Sequence, residues 1–310
     1  MGFAAIMLPM WMQPLGTVLR DAAIILAVML AAWYLMRNWV SKVGAIAHTT
    51  AKEAVSQPLF YVILAIGTFA ILVFPFIPYN TFGEDVKILK AEGLTLIKLL
   101  GVILGLWTAS VSIADEIEGR TALTLLSKPV RRWQLIVGKF LGIIGPVALV
   151  FLILGVLFLG SVSYKVVYDA RETSNPDPTF QQCNDEMQQI VPGLILALME
   201  TIILVSISVA ISTRLPMLPN LVICATIYVL GHLVPMLVDS SMARFEIVQF
   251  VGKFLAAVIP QLDHFSVEPA ISNRQEVPTV YLLCAGAYAA LYTAVAMLLA
   301  LLLFEDRDLA

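Results

Sequence analysis

The sequence predicts an all-α integral membrane protein, and three observations carry that prediction. Of the 310 residues, 60% are hydrophobic and 13% charged, with a mean hydropathy of +0.90. Soluble domains average about 45–50% apolar and about 25% charged. Apolar runs near the ~20 residues that a membrane-crossing helix needs recur along the chain. One stretch, Ser112 to Lys139, breaks the pattern by being densely charged. The net charge of −3 argues against a nucleic-acid partner. Cys183, Cys224 and Cys284 lack metal or disulfide spacing. Two of them fall inside apolar runs, where cysteine behaves as a small hydrophobe.

The N-terminal run contains Pro9 and Pro14 and no basic residue before Arg20, which excludes a secretory signal peptide. Residues 22–36 form an apolar run that makes about 22 Å of helix. Leu15–Leu19 extend it toward the ~30 Å hydrocarbon core if Arg20 and Asp21 snorkel to the interface. Trp33, Tyr34 and Trp39, followed by Arg37 and Lys42, make an aromatic and basic belt at the far end, so the N-terminus is expected outside.

Residues 41–57 place Val43, Ala47, Ala51, Ala54 and Val55 on one helical face. That pattern suits a helix lying in the membrane interface, with a plain linker as the alternative. Six spans are expected to follow, at 58–79, 93–114, 133–163, 190–213, 219–238 and 279–304. The third is long enough to tilt or protrude. Residues 164–189 read as a polar external loop, with turn chemistry at Asn175-Pro176-Asp177-Pro178. Met242 to Ile259 is amphipathic, carries Arg244, Glu246, Gln249 and Lys253, and stops at Pro260. It is expected to lie at the outer surface or to re-enter the membrane, because four polar side chains make a poor span.

The central stretch opens with Asp115, Glu116 and Glu118 and closes with Lys128, Arg131, Arg132 and Lys139. Ile117, Thr121 and Leu125 share one helical face. Acids at the start and bases at the end suit the helix dipole. Pro129 stops the helix. Glu116, Glu118, Gly119, Thr121, Leu125-Leu126, Pro129-Val130, Arg132 and Gly138-Lys139 resemble, in kind and order, the signature of type-2 ABC transporter permeases. Arg120 departs from it, standing where the family usually has Gly followed directly by Thr.

The resemblance implies a six-span type-2 ABC permease core over 58–304 within one transmembrane domain. The span at 22–36 is an addition to it. It also implies a cytoplasmic coupling helix at 115–126, where Asp115, Glu116, Glu118, Gly119, Arg120, Thr121 and Leu125 meet a separate cytoplasmic ABC ATPase. Pro129, Arg132, Gly138 and Lys139 complete the motif. ATP and Mg are expected on that ATPase and no cofactor on this chain. A second permease chain, identical or related, is expected to complete the membrane path of an exporter. Residues 305–310 resemble the family's short cytoplasmic tail, and the outer segment matches the family at Pro260, Leu262 and Phe265. The expected location is the cell membrane, a bacterial inner membrane, with the C-terminus cytoplasmic. The distribution of basic residues agrees only weakly, and the resemblance sets the orientation.

Some chemistry is missing from the sequence. Gly138-Lys139 is followed by Phe140 and preceded at 133 by Trp, so no phosphate-binding loop forms there. His48, His232 and His264 lie far apart and read as structural. Glu200 falls mid-span in LALMETIILVS, where an ionised carboxylate costs a few kcal/mol unless it faces protein or water. It lines or couples the pathway, or it is a buried hydrogen-bonded acid between helices. Lys98 is expected to snorkel outward. The alternative function class is an integral membrane enzyme, such as an intramembrane protease or lipid transferase, using Glu200 and His232. It requires titratable groups converging at one depth.

Overall fold

The computed structural model describes residues 9–39, 41–77, 84–118, 131–173, 176–239, 250, 252, 254–256, 258–272 and 275–305. Among these the chain is helical, with no strand. Seven helical segments are long and apolar enough to cross a membrane, in agreement with the seven spans expected.

The first helix, α1 (Leu15–Trp39), follows a 3-10 turn at Met10–Met12. Thr17 Oγ1 donates to the Pro14 carbonyl at 2.7 Å, which holds the entry. α1 is longer than the expected 22–36 and takes in Leu15–Leu19, with Arg20 and Asp21 paired at 3.0 Å on its exposed surface. Most of that surface is exposed and apolar, as at Ile24, Val28 and Leu30, which suits contact with lipid. α2 (Ser41–Ser56) buries Val43, Ala47, Thr50 and Ala54 at three- and four-residue intervals. Gln57 is extended, and Pro58 then opens α3 (Pro58–Val73) at the helix start, where its missing N–H costs nothing.

The next two helices are the frame of the molecule. α4 (Asp85–Glu118) has 34 residues and α5 (Arg132–Glu172) has 41, about 50 and about 60 Å long. Both exceed the ~30 Å hydrocarbon core. Their mutual packing depends on missing side chains. A Cβ on Gly93 would lie 2.0 Å from the Phe158 ring, and one on Gly101 2.2 Å from the Phe151 ring. The two phenyl groups therefore seat where only glycine leaves room, and they fix α4 antiparallel to α5.

Two expectations are corrected here. The helix of the second core span begins at Asp85, not 93, and that of the third continues to Glu172, not 163. Charge put the sequence-based limits too far inside, yet these charges are paired across helices. Lys165 lies 3.1 Å from Asp85 and 2.9 Å from Asp169, and Lys90 pairs with Glu186 and Gln189. The expected external loop at 164–189 is consequently largely helical. After α5 it holds α6 (Phe180–Gln188), whose start is fixed by Thr179 and Gln182 bonding each other's backbone N–H at 3.5 and 2.9 Å.

α7 (Val191–Ser212) follows directly and is, with α4, one of the two most enclosed spans, with Leu196, Ile203, Leu204 and Val209 fully buried. α8 (Met217–Asp239) lies beside it. Its Asn220 amide nitrogen lies 2.7–2.9 Å from the hydroxyls of Ser110, Ser208 and Ser212, which ties α8 to α4 and α7. A 3-10 turn at Leu262–Phe265 buries both its end residues, and α9 (Glu268–Ser272) leads on toward α10 (Thr279–Glu305). Most of Met242 to Ile259, expected as a surface or re-entrant helix, lies outside the described residues.

The start of α1 and the end of α10 sit at opposite ends of α5. Ser163 Oγ donates to the Trp11 carbonyl at 2.9 Å near the start of α1. Arg132, at the other end of α5, reaches the Phe304 and Glu305 carbonyls at the end of α10.

Candidate functional site

The central stretch is reached from both sides by described helices. α4 runs without interruption through Asp115, Glu116 and Glu118, so the acidic opening of the stretch continues the second core span. Gly119, Arg120, Thr121, Leu125 and Pro129 lie outside the described residues. The chain re-enters at Arg131, whose backbone N–H donates to Gln134 Oε1 at 3.0 Å, and α5 begins.

The last three residues of the signature each hold a different helix against α5. Arg132 Nη1 donates to the Glu305 carbonyl at 2.8 Å and the Phe304 carbonyl at 3.4 Å, and its guanidinium sits 5.9 Å over the Phe304 ring. The final carbonyls of a helix have no intrahelical partner and carry the negative end of its dipole, so a cation belongs there. Gly138 and Gly142 form a small-residue groove for α2. A Cβ on Gly138 would lie 2.8 Å from Ile46, and one on Gly142 2.7 Å from the Ala47 carbonyl oxygen. Lys139, 4% exposed, donates to both the carbonyl and the hydroxyl of Ser112, at 2.8 Å each. Arg132, Gly138 and Lys139 thus join α5 to α10, α2 and α4 respectively.

A second polar centre lies about 21 Å along α4 from Ser112, at Lys98. Lys98 does not snorkel outward as expected. It is 5% exposed, with its ammonium 2.7 Å from Glu268 Oε1, 3.4 Å from Ser266 Oγ and 3.8 Å from Glu200 Oε2. Its partners come from α7, α9 and the segment before α9, so other elements supply counter-charge that the span alone lacks. Glu200 is 0% exposed. Its other oxygen faces His232 Nε2 at 3.4 Å, from α8. Among the described residues neither Glu200 oxygen has a hydrogen-bond partner.

His232 Nδ1 lies 3.0 Å from the Tyr228 carbonyl. A carbonyl can only accept, so Nδ1 carries the hydrogen. Nε2 and the Glu200 carboxyl therefore attract one another only when a proton lies between them, on either partner. Glu200 and His232 do converge, as the enzyme alternative requires, but Glu200 is sealed from solvent and lipid. His48 and His264 are elsewhere, against Trp33 and Tyr288. Sequence reasoning placed Glu200 in mid-span, joined it to His232 only under the enzyme alternative, and missed Lys98 and Glu268 as its neighbours. The available signal was two ionisable residues of opposite sign inside separate apolar runs, which lipid forces to find partners. Glu268 had no such signal, because it stands in a polar segment. Among the described residues no group of three or more His, Cys, Asp or Glu is placed to hold a metal ion.

The sequence model for the ABC-2 family transporter proteins matches residues 15–309. The chain belongs to the ABC-2 transporter family. No curated protein matches it. The match covers α1 as well as the six core spans, so the N-terminal span lies within the family's boundaries here. In this ABC-2 protein the signature residues Arg132, Gly138 and Lys139 are packing and capping residues on α5. The membrane-buried ionic cluster is a separate centre, shared by α4, α7, α8 and α9.

Proposed function

We propose that this chain is the permease subunit of an ATP-driven exporter, coupled to a separate cytoplasmic ATPase through residues 112–139. Asp115, Glu116, Glu118, Gly119, Arg120, Thr121 and Leu125 form the contact with the ATPase, and Pro129 ends that element. ATP and Mg bind to the ATPase. A second permease chain, identical or related, completes the path.

One observation carries this reading. The residues that flank the central stretch are each the joint between α5 and another helix: Lys139 for α4, Gly138 for α2 and Arg132 for α10. Movement imposed between Glu118 and Arg131 therefore acts on α4 and α5 directly and on two further helices through fixed contacts. Rigid helices with small-residue and capped joints transmit displacement rather than absorb it. In this reading the central stretch and the end of α10 face the cytoplasm, and the start of α1 faces outward, in a bacterial inner membrane. The separation of Trp11 and Glu305 to opposite ends of α5 supports that arrangement. Glu200, enclosed and close to Lys98 and His232, acts where the spans move against one another.

The test is affinity purification of the tagged full-length chain from its native membrane. An ABC ATPase should be retained, and its hydrolysis should change when the chain is reconstituted with it in nanodiscs. Recovery without any ATPase, from membranes that contain one, would overturn the reading.

A further inference from the structure

α1 does not lie flat on the bundle. Its two ends touch α5, with Leu15 3.3 Å from a Cβ placed on Gly160 and Trp33 3.4 Å from one placed on Gly145. Between those contacts a cavity of about 440 Å³ opens among α1, α5, α6 and α7. One face of each long helix lines it: Val18, Ala22, Ile25 and Met29 from α1, and Ala148, Leu152, Gly155 and Leu159 from α5. These sets repeat at three- and four-residue intervals, so the lining is continuous along both helices.

The cavity is graded. Arg20, Asp21, Asn184 and Gln188 lie at the end where α1 begins and α5 finishes. Deeper in, the walls contributed by α1 and α5 are apolar. From Val18 to Met29 is about 16 Å of helix, close to half of the ~30 Å hydrocarbon core. The cavity therefore runs from one membrane interface to about the bilayer midplane. Ala22, Ala148 and Gly155 make it hollow, because larger residues there would fill it.

Shape decides between occupants. The cavity ends near mid-membrane, and a partner helix that spans the ~30 Å hydrocarbon core is about twice its length. A hydrocarbon chain fits, being slender, apolar and one leaflet long. At its polar end an exposed guanidinium and two side-chain amides can donate to phosphate oxygens, while Asp21 3.0 Å from Arg20 suits a zwitterionic headgroup.

We propose that this cavity is a phospholipid site: one acyl chain fills the space between α1 and α5, and the phosphate rests on Arg20, Asn184 and Gln188. The lipid completes the packing that α1 does not make with protein. The site stands apart from the central stretch and from Glu200, so it holds or fails independently of the export reading.

The test uses the full chain in nanodiscs containing a phospholipid with a photoreactive group at mid-acyl chain, with adducts mapped by peptide mass spectrometry. Adducts should concentrate on Ile25, Leu152 and Leu198 rather than on lipid-facing Phe69 and Leu283. Ala148→Phe should lower them about tenfold, the effect of displacing about two buried methylene groups, while labelling at Phe69 stays unchanged. Arg20→Gln should lower them with phospholipid and leave labelling by a photoreactive diacylglycerol unchanged. Even labelling of the wild-type surface would overturn the proposal without recourse to any variant. So would labelling of the cavity that neither substitution alters.

Discussion

Lys139 on α5 donates to the carbonyl and the hydroxyl of Ser112 on α4, both at 2.8 Å, with the lysine buried. The contact closes the two long helices against each other 27 residues apart in sequence, immediately below the central charged stretch. A buried ammonium persists only where acceptors surround it, so this joint is stiff.

Lys139→Met is expected to destabilise the α4–α5 junction by about 1–3 kcal/mol, since it removes the donor and leaves the Ser112 groups without it. Thermal unfolding in detergent should show the loss. An unchanged melting temperature would mean that the contact is dispensable.

Gly142→Leu should lift α2 from α5, because even a Cβ there would stand 2.7 Å from the Ala47 carbonyl oxygen. Paired cysteines at Ile46 and Leu141 in a cysteine-free background should cross-link in the parent and far less in the variant. Equal cross-linking would show that the groove tolerates bulk.

Lys98→Met should cost about 3–5 kcal/mol, as expected when one partner of a buried ion pair is removed. Glu268 and Glu200 then face one another's charge without the cation between them. Adding Glu200→Gln to Lys98→Met should recover part of the loss, measured by thermal unfolding of the single and double variants. Additive losses would show that Lys98 and Glu200 do not interact.

The spans were legible in the sequence because lipid demands long apolar helices, and nothing else in a chain looks the same. The helix at 41–57 was legible too. Val43, Ala47 and Ala54 repeat on one face, and they are buried, with Val43 and Ala47 backbone oxygens lying against Gly138 and Gly142 of α5. What the sequence concealed was pairing at a distance. Lys98 alone looks like a snorkelling lysine, and its partners Glu200 and Glu268 lie 102 and 170 residues further on. Lys165 and Asp85 likewise look like loop charges until two helices bring them together. Glu118 closes the described part of α4, and the remaining coupling residues, Gly119 to Leu125, rest on the family signature alone.

The topology is tested by single cysteines at Asp177 and Asp308 in a cysteine-free background. An impermeant maleimide applied to intact cells should label the first and spare the second. The reverse pattern would invert the proposed orientation.

The central claim is that residues 115–126 transmit ATPase closure to the spans. The most direct measurement is co-purification and ATP hydrolysis with Glu118→Lys and Gly119→Val, each reconstituted in nanodiscs with the partner ATPase. Charge reversal in a charged interface costs several kcal/mol, so Glu118→Lys should weaken ATPase retention by about tenfold or more. Gly119→Val should insert normally and uncouple hydrolysis from the permease, because valine lacks glycine's conformational freedom. Wild-type ATPase stoichiometry and wild-type coupled hydrolysis in both variants would contradict the account and make the stretch an ordinary solvated loop.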